Sequence, residues 1–441
     1  MKKIVWLFAT PLLISIANAA DLLQVYRAAQ DNDPVFAAAR ATRDAGQEKL
    51  PQGRAMLLPS LILSGNTVWN ENEISNTSGT LLSKPSYNGN GYQLSLSQPL
   101  FRWQNWIGYD QARLQVAQSE ANFSLARQDL ILRVAQAYFD VLNASENLAA
   151  VQANKQAISQ QLALAKASFE VGSTTITDTH EAQARFDLAS AQEIAALSDL
   201  EVRQQTLRAL TGQDSGLLAT PGNKATLPMP QPADMKSWVD AAEKDSINVQ
   251  VQQAAAEIAE REVDKQRAGH LPTVDLVANY GQSKSFASTL GVIDTQYQNA
   301  GIQVNIPLFQ GGLTLSRQRE AAANRLAARS ALEASKRNAG LAARQYYLGV
   351  ANGLAQVKAL KAALLSSQSA LESNKLGYEV GVRINIDVLN AENQVYVTRR
   401  DLAKATFDTL MAQLRLKAAV GALGDDDVAQ INALLEAPAA Q

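Results

Sequence analysis

The chain repeats itself, and that repetition restricts its fold more than any other feature. Ala28-Ala29 recurs as Ala241-Ala242 and Leu58-Pro59 as Leu271-Pro272, both 213 residues on. Pro99-Leu100-Phe101 recurs as Pro307-Leu308-Phe309 after 208 residues, so the first copy holds a loop five residues longer between those markers. Tyr138 and Tyr346, Gly172 and Gly381, and Gly212 and Gly421 then keep an offset of 208 or 209. Six markers kept in order describe two copies of one supersecondary unit, where the 441 residues alone would allow two or three unrelated domains. The chain divides into a leader at 1–19, a first repeat at 20–213, a linker at 214–235 with Pro228, Pro230 and Pro232, a second repeat at 236–421, and a tail at 422–441.

Each copy reads in the same order. A helical segment leads to "LLPSLILSGNTVW" or "HLPTVDLVANYG", where Leu61, Leu63, Thr67 and Trp69, and again Val274, Leu276, Ala278 and Tyr280, alternate with more polar neighbours. After a Gly/Asn/Ser-rich loop, "GYQLSLSQPLF" and "AGIQVNIPLF" alternate in the same way through Tyr92, Leu94 and Leu96 and through Ala300, Ile302, Val304 and Ile306. Period two predicts β-strands with one apolar and one polar face, two hairpins in all.

From Leu100 to Thr220 and from Leu308 to Ala437 no proline occurs, and Ala, Gln, Leu, Glu, Lys and Arg dominate, which predicts long helices. Val116, Phe123, Leu130, Ala137, Ala144, Val151, Ile158 and Ala165 keep an unbroken seven-residue spacing, the period of coiled-coil-like packing. One such helix, from about Asn105 to Phe169, would run roughly 100 Å at 1.5 Å per residue. In each copy a glycine, Gly172 or Gly381, interrupts the helical pattern, and Thr177 or Asn385 stands where the next helix would be capped. Each interruption is therefore the expected tip of a helical hairpin.

A formal net charge of −2 gives no clustered positive surface to displace phosphate counterions, so nucleic acid is not an expected partner. With no cysteine there is neither a thiolate metal site nor a disulfide nor a catalytic thiol. Lys2 and Lys3, an apolar run and Ala17-Asn18-Ala19 read as a signal peptide cleaved near Ala19, with the mature chain starting at Ala20. His180-Glu181 resembles the start of a zinc motif, but Ala184 stands where its second histidine belongs, so no metal is expected. "FQGGLTLS" lacks the Gly-Lys-Ser/Thr ending of a phosphate loop and suits a strand-to-helix joint. "GDDDVAQ" reads as a solvated helix start. No constellation of nucleophile, base or cofactor ligands appears, so neither an enzyme nor a cofactor is expected.

Four strands of about ten residues with one apolar face fit a membrane β-barrel, but four cannot close one. An open edge in lipid leaves backbone groups unpaired at several kcal/mol each, so membrane strands would have to come from several chains. Alternation alone also fits a small soluble sheet beside a helical stalk, a periplasmic scaffold without a pore.

The leader, the tandem repeat, the "LPSL" and "LPTV" strand starts, the "QPLF" and "IPLFQGG" joints, and the "FEVGSTTITD" and "YEVGVRINIDVLNAE" tips together resemble the TolC family of outer-membrane efflux and secretion channels. The likeness covers nearly the whole mature chain. It implies a mainly α fold with β, in which helical hairpins build an α-barrel tunnel and four strands per protomer enter a shared twelve-stranded barrel of a homotrimer. It implies outer-membrane lipid around the barrel, and as partners a periplasmic adaptor (membrane fusion protein) and an inner-membrane pump of RND, ABC or MFS type. Carried over, Asp178 would pair with Tyr378 and Thr177 with Arg383 to close the periplasmic tip. Asp387 would belong to a constriction ring whose second acid is replaced here by Asn390. The lipid-facing strand positions would include Leu94, Leu96, Ile302 and Val304.

Overall fold

The structure is a computed structural model that describes residues 20–173, 175–214, 216–221, 228–287 and 290–436; the expected leader lies outside them. Three short helices open the chain, α1 (Leu22–Asn32), α2 (Pro34–Gln47) and α3 (Lys49–Ala55). Strands β1 (Ser60–Glu71), β2 (Ile74–Ser75), β3 (Leu81–Ser83) and β4 (Ser86–Phe101) follow, then the long helix α4 (Trp103–Glu170) and its partner α5 (Ile176–Thr211). After β5 (Thr220–Pro221) the second copy begins with α6 (Met235–Asp245) and α7 (Ile247–Arg267). It continues with β6 (Thr273–Ala287), β7 (Gly291–Asn305), α8 (Leu313–Glu379) and α9 (Asn385–Ala419), and α10 (Asp425–Asn432) and β8 (Leu435–Glu436) end the chain.

These elements fall into two compact units. Among the described residues one draws on 20–39, 125–246 and 338–436, the other on 40–124 and 247–337. Each unit takes segments from both copies of the repeat.

In the second unit, β1, β4, β6 and β7 form one antiparallel sheet in the order β1-β4-β6-β7. The register aligns the apolar residues of all four strands: Leu61 opposes Leu96, Leu96 opposes Ala278, and Ala278 opposes Ala300. One row away, Leu63 opposes Leu94 and Leu94 opposes Tyr280, and Leu276 opposes Ile302 and Val274 opposes Val304. Since side chains alternate faces along a strand, this register collects the period-two apolar positions on a single face. On the other face Gln93 donates to Ser95 and Asn279, Asn279 donates to Asn299, and the Tyr297 hydroxyl donates to Gln93. Hydrogen-bonded polar groups thus back an apolar surface, the division that a half-wet, half-apolar sheet requires.

Beneath this sheet α3 meets α4 closely. Gly53 is buried, and a methyl group in place of its hydrogen would lie 2.6 Å from the Ala112 Cβ. On the next helix the Gln111 side chain donates to Glu262 of α7 at 2.8 Å.

In the first unit the heptad seam of α4 faces inward. Leu130, Ala137, Ala144, Ile158 and Ala165 are buried, and Val151 is half-buried. The facing helix answers with Ala182, Ala189 and Ala196, buried and likewise seven residues apart. Paired alanines let two helices approach closely over many turns, with little bulk to order at each contact. Larger side chains gather toward α1 and α10. Tyr138 is fully buried, donates its hydroxyl to the Ala219 carbonyl at 2.7 Å, and stands edge-on to Phe139, which stacks on Phe407. Burial pushes the Tyr138 phenol well above its ordinary pKa. The acidic stretch opens α10 as expected, with Asp426 exposed and the other two carboxylates paired. Asp425 accepts from the Tyr26 hydroxyl and pairs with Arg127, while the buried Asp427 pairs with Lys417.

Among the described residues no helix is long and apolar enough to cross a membrane.

Candidate functional site: the two helical tips

The long helices of the first unit end at two turns built alike. In the α4–α5 turn Gly172 has φ +75°, its amide donates to the Phe169 carbonyl and the Ser173 amide donates to the Ser168 carbonyl. In the α8–α9 turn Gly381 has φ +79°, its amide donates to the Tyr378 carbonyl, and the Val382 and Arg383 amides both reach the Gly377 carbonyl. Only glycine takes this left-handed geometry without steric cost, and the back-bonds satisfy carbonyls that the ending helix leaves open.

The second helix of each hairpin starts differently from expectation. Thr175, not Thr177, caps α5. Its hydroxyl accepts from the Asp178 amide while the Asp178 carboxylate accepts from the Thr175 amide and hydroxyl, a reciprocal capping box. Thr177 lies within the first turn, its side chain exposed. In the other hairpin Asn385 is the first helical residue and Ile384 holds the cap position, with no side-chain cap bond. The acid of α9's first turn, Asp387, supplies the negative charge that a helix N-terminus favours.

Of the residues assigned to a tip closure, Asp178 is therefore bonded to Thr175 within its own turn, and Arg383 pairs with Asp387 at 3.7 Å along α9. Within one chain neither Asp178 with Tyr378 nor Thr177 with Arg383 forms a bond among the described residues. Tyr378 is half-buried, Arg383 and Asn390 are exposed, and Asp387 is half-buried. Leu94, Leu96, Ile302 and Val304 all lie on the apolar face of the sheet in the other unit.

Two hairpins meet just behind the tips. Leu389 of α9 is buried against Ile158 of α4 and Ala189 of α5, with Phe186 alongside. Nearer the turn, Leu162, Ala165 and Ala182 close around the same Phe186. Lys155 lies over the Phe186 ring and pairs with Glu193 at 2.8 Å, and this ion pair, with the Gln152 amide, holds the Glu193 carboxyl below its usual pKa. Glu392, one turn beyond Leu389, is buried and paired with Lys375 of α8 at 3.0 Å. Its second oxygen has no partner, nor have the Asn154 and Gln161 side-chain oxygens. Sequence reasoning assigned no role to Glu392, Lys375, Asn154 or Gln161, because buried polar residues on an Ala-rich helix carry no periodic signature.

Small apolar clusters and single ion pairs join the hairpins behind the two turns. They offer no nucleophile, base or ligand cluster, and among the described residues no group of three or more His, Cys, Asp or Glu side chains could hold a metal ion.

Comparison with known proteins agrees in extent as well as kind. The sequence pattern of the family described as Outer membrane efflux protein matches residues 25–213 and 238–422. The chain is 31% identical over 443 residues to Outer membrane protein TolC of Vibrio cholerae, covering 99% of each. It is 32% identical to Alkaline protease secretion protein AprF of Pseudomonas aeruginosa, covering 97% of this chain and 90% of that one. In fold it resembles the Campylobacter jejuni CmeC outer membrane channel, with a TM-score of 0.80 at 18% identity over 94% of this chain and 90% of that one. The Vibrio cholerae outer membrane protein VceC gives 0.76 at 20% identity over 91% and 96%. The chain belongs to the outer membrane efflux protein family and is a transport channel of the outer membrane, serving efflux or secretion.

Proposed function

We propose that three copies of the chain build a passive exit duct, gated at its helical tips and worked by a periplasmic adaptor and an inner-membrane pump of RND, ABC or MFS type. The four-stranded sheet supports the shared barrel: its apolar face is exposed, with Leu63 72%, Ile302 66% and Val304 54% accessible in the single chain. That single observation carries the reading, since such a surface is costly in water and fits lipid. A periplasmic stalk without a pore would leave it unexplained.

The gate is assigned to Thr177, Asp178, Tyr378 and Arg383, which sit at or beside the two turns. With Arg383 and Asp178 bonded inside their own hairpins, closure by these residues requires exchange for partners on a neighbouring copy. Asp387 and Asn390, the third and sixth residues of α9, are neighbours on one helix face and form the constriction ring, three formal charges in a trimer. The duct does no bond-making chemistry and takes its energy from the pump.

Fractionation tests this directly. Protein from cells is expected in the outer-membrane fraction as a heat-sensitive trimer on gels, with the adaptor recovered after mild cross-linking. Recovery as a water-soluble monomer would overturn the reading.

A further inference from the structure

Where the sheet gives way to helices, a groove runs between the start of α4 and the end of α7. Trp103, Trp106, Asp110 and Arg113 recur every three or four residues on α4 and share one helix face, as do Glu257, Arg261 and Asp264 on α7. Helix α4 leaves the sheet just after Phe101 and α7 returns toward it before Thr273, so the tryptophans stand at the end of the groove nearer the sheet. There Trp103, Trp106 and Leu271 line a cavity of about 480 Å³ together with Asp110, Arg261 and Asp264. The same three charged residues line an adjoining cavity of about 610 Å³ with Arg113 and Glu257, so the two form one continuous groove. The helices are joined by other residues, since Gln111 and Gln118 of α4 make the bonds to α7.

Both signs of charge face this groove, yet they do not meet. Among the described residues Asp110, Arg113 and Arg261 have neither a hydrogen bond nor an ion pair, and Arg267 approaches Asp264 only at 3.8 Å. Neighbouring carboxylates of α7 are engaged, Glu260 with Arg329 and Glu262 with Gln111. Trp103 and Trp106 are 50% and 52% exposed, and their indole N–H groups are unbonded. The apolar row of the sheet leads to this end of the groove, because Phe101 opposes Val274 and Trp103 follows Phe101 by two residues.

We infer that the groove holds the headgroup of a zwitterionic phospholipid with a primary ammonium, a phosphoethanolamine lipid whose acyl chains lie along the apolar face of the sheet. Arg261 and Arg267 donate to the phosphate, and Asp110 accepts from the ammonium. Trp103 and Trp106 stand at the glycerol level, where rings with one apolar and one polar side are favoured. Two arginines and two aspartates, Asp110 and Asp264, sum to no net charge, and farther along Arg113 and Glu257 cancel as well. A neutral groove with separated charges matches a zwitterion and gives an anionic headgroup no net attraction. This assignment rests on the lipid-facing reading of the sheet and adds to it a lipid class and the residues that select it.

Native mass spectrometry tests it on purified full-length protein in a mild non-ionic detergent, titrated with phosphatidylethanolamine or phosphatidylglycerol of identical acyl chains. The parent is expected to retain the ethanolamine lipid about tenfold more strongly, the difference made by one charge-assisted contact. Asp110→Asn is expected to abolish the preference and Asp110→Glu to keep it, while Arg261→Gln with Arg267→Gln is expected to lose both lipids. These side chains lie on an exposed face, so each variant is expected to melt with the parent, and a change in retention then reads binding and not folding. Phosphoethanolamine without acyl chains and inorganic phosphate are expected not to displace the lipid at equal concentration; displacement by either overturns the lipid as the source of the headgroup. Stronger retention of phosphatidylglycerol by the parent, or a preference untouched by Asp110→Asn, overturns the inference and leaves the sheet in lipid. Retention of neither lipid also overturns it: recovery of that protein from outer membranes then leaves the lipid-facing reading standing, and recovery from the soluble fraction overturns both.

Discussion

Arg102 and Asp275 are joined by two parallel hydrogen bonds, Nε to Oδ1 at 2.7 Å and a terminal guanidinium nitrogen to Oδ2 at 2.6 Å, and the Asp275 side chain is only 4% exposed. The planar fork of arginine fits a carboxylate in this way and lysine does not. Removing one partner leaves a buried carboxylate without its counter-charge, so Arg102→Ala is expected to cost about 3–5 kcal/mol. Arg102→Lys is expected to recover only part of this. Thermal melting of the detergent-solubilised protein measures both, and equal melting of Arg102→Ala and the parent would contradict the role.

Lysine at Leu94, Leu96, Ile302 or Val304 is expected to cost roughly 2–4 kcal/mol if it falls at the bilayer midplane, whereas Ser95→Lys and Asn305→Lys on the polar face are expected to be tolerated. The yield of assembled protein in outer membranes separates the faces. Equal yields from both would remove the assignment of the apolar face to lipid.

At the tips, Tyr378→Phe with Arg383→Ser is expected to raise single-channel conductance. Hydrogen bonds of this kind contribute about 1–3 kcal/mol each, enough over three copies to shift a closed-to-open balance. Arg383→Ser also frees Asp387 from its 3.7 Å partner, so cation selectivity is expected to rise in that variant. Asp387→Ala is expected to lose the selectivity, and Asn390→Asp to strengthen block by multivalent cations. Reversal potentials across a salt gradient report each change, and unaltered selectivity in Asp387→Ala would return Asp387 to a helix-dipole role.

Asp33 gives a pH signature in the other direction from a histidine switch. Burial works against its carboxylate, but the Arg133 guanidinium at 2.7 Å and the Phe36 and Val35 amides outweigh it and hold its pKa below the ordinary value. A depressed carboxyl contributes stability that is complete above its unfolded pKa and is lost as pH falls through the folded one. Asp33→Asn, which can still cap α2, is therefore expected to be less stable near neutral pH by about 1–3 kcal/mol. The difference is expected to close below about pH 4. Denaturant midpoints at neutral and acid pH test this, and a gap that persists in acid would contradict it.

Replacing Gly53 by alanine forces a Cβ to within 2.6 Å of the Ala112 Cβ where α3 crosses α4. Overpacking of this kind costs about 1–3 kcal/mol, and Gly53→Ala is expected to lower the melting temperature, with partial recovery in Gly53→Ala combined with Ala112→Gly.

What could be read from the sequence was whatever a local period encodes. Strand parity from Leu61 to Val304, the α4 heptad from Leu130 to Ala165, and the glycines at both tips follow from spacings of two, seven and one special backbone position. The cap of α5 is legible in the sequence, since Thr175 has an acid three residues on, at Asp178, where Thr177 has His180. The Arg102–Asp275 pair was not legible, since its members are 173 residues apart and meet only because β4 and β6 are neighbours. Lys375 with Glu392 and Arg127 with Asp425 were hidden for the same reason, each side chain being an ordinary charged residue until the hairpins are folded together.

The central claim is that this chain forms a pore rather than a stalk, and conductance across a planar bilayer tests it most directly. Purified full-length protein is expected to insert in discrete steps, each a cation-selective channel of low conductance that rises in Tyr378→Phe with Arg383→Ser. Protein that is trimeric and membrane-bound yet shows no stepwise current, in the parent and in that variant alike, would contradict the account.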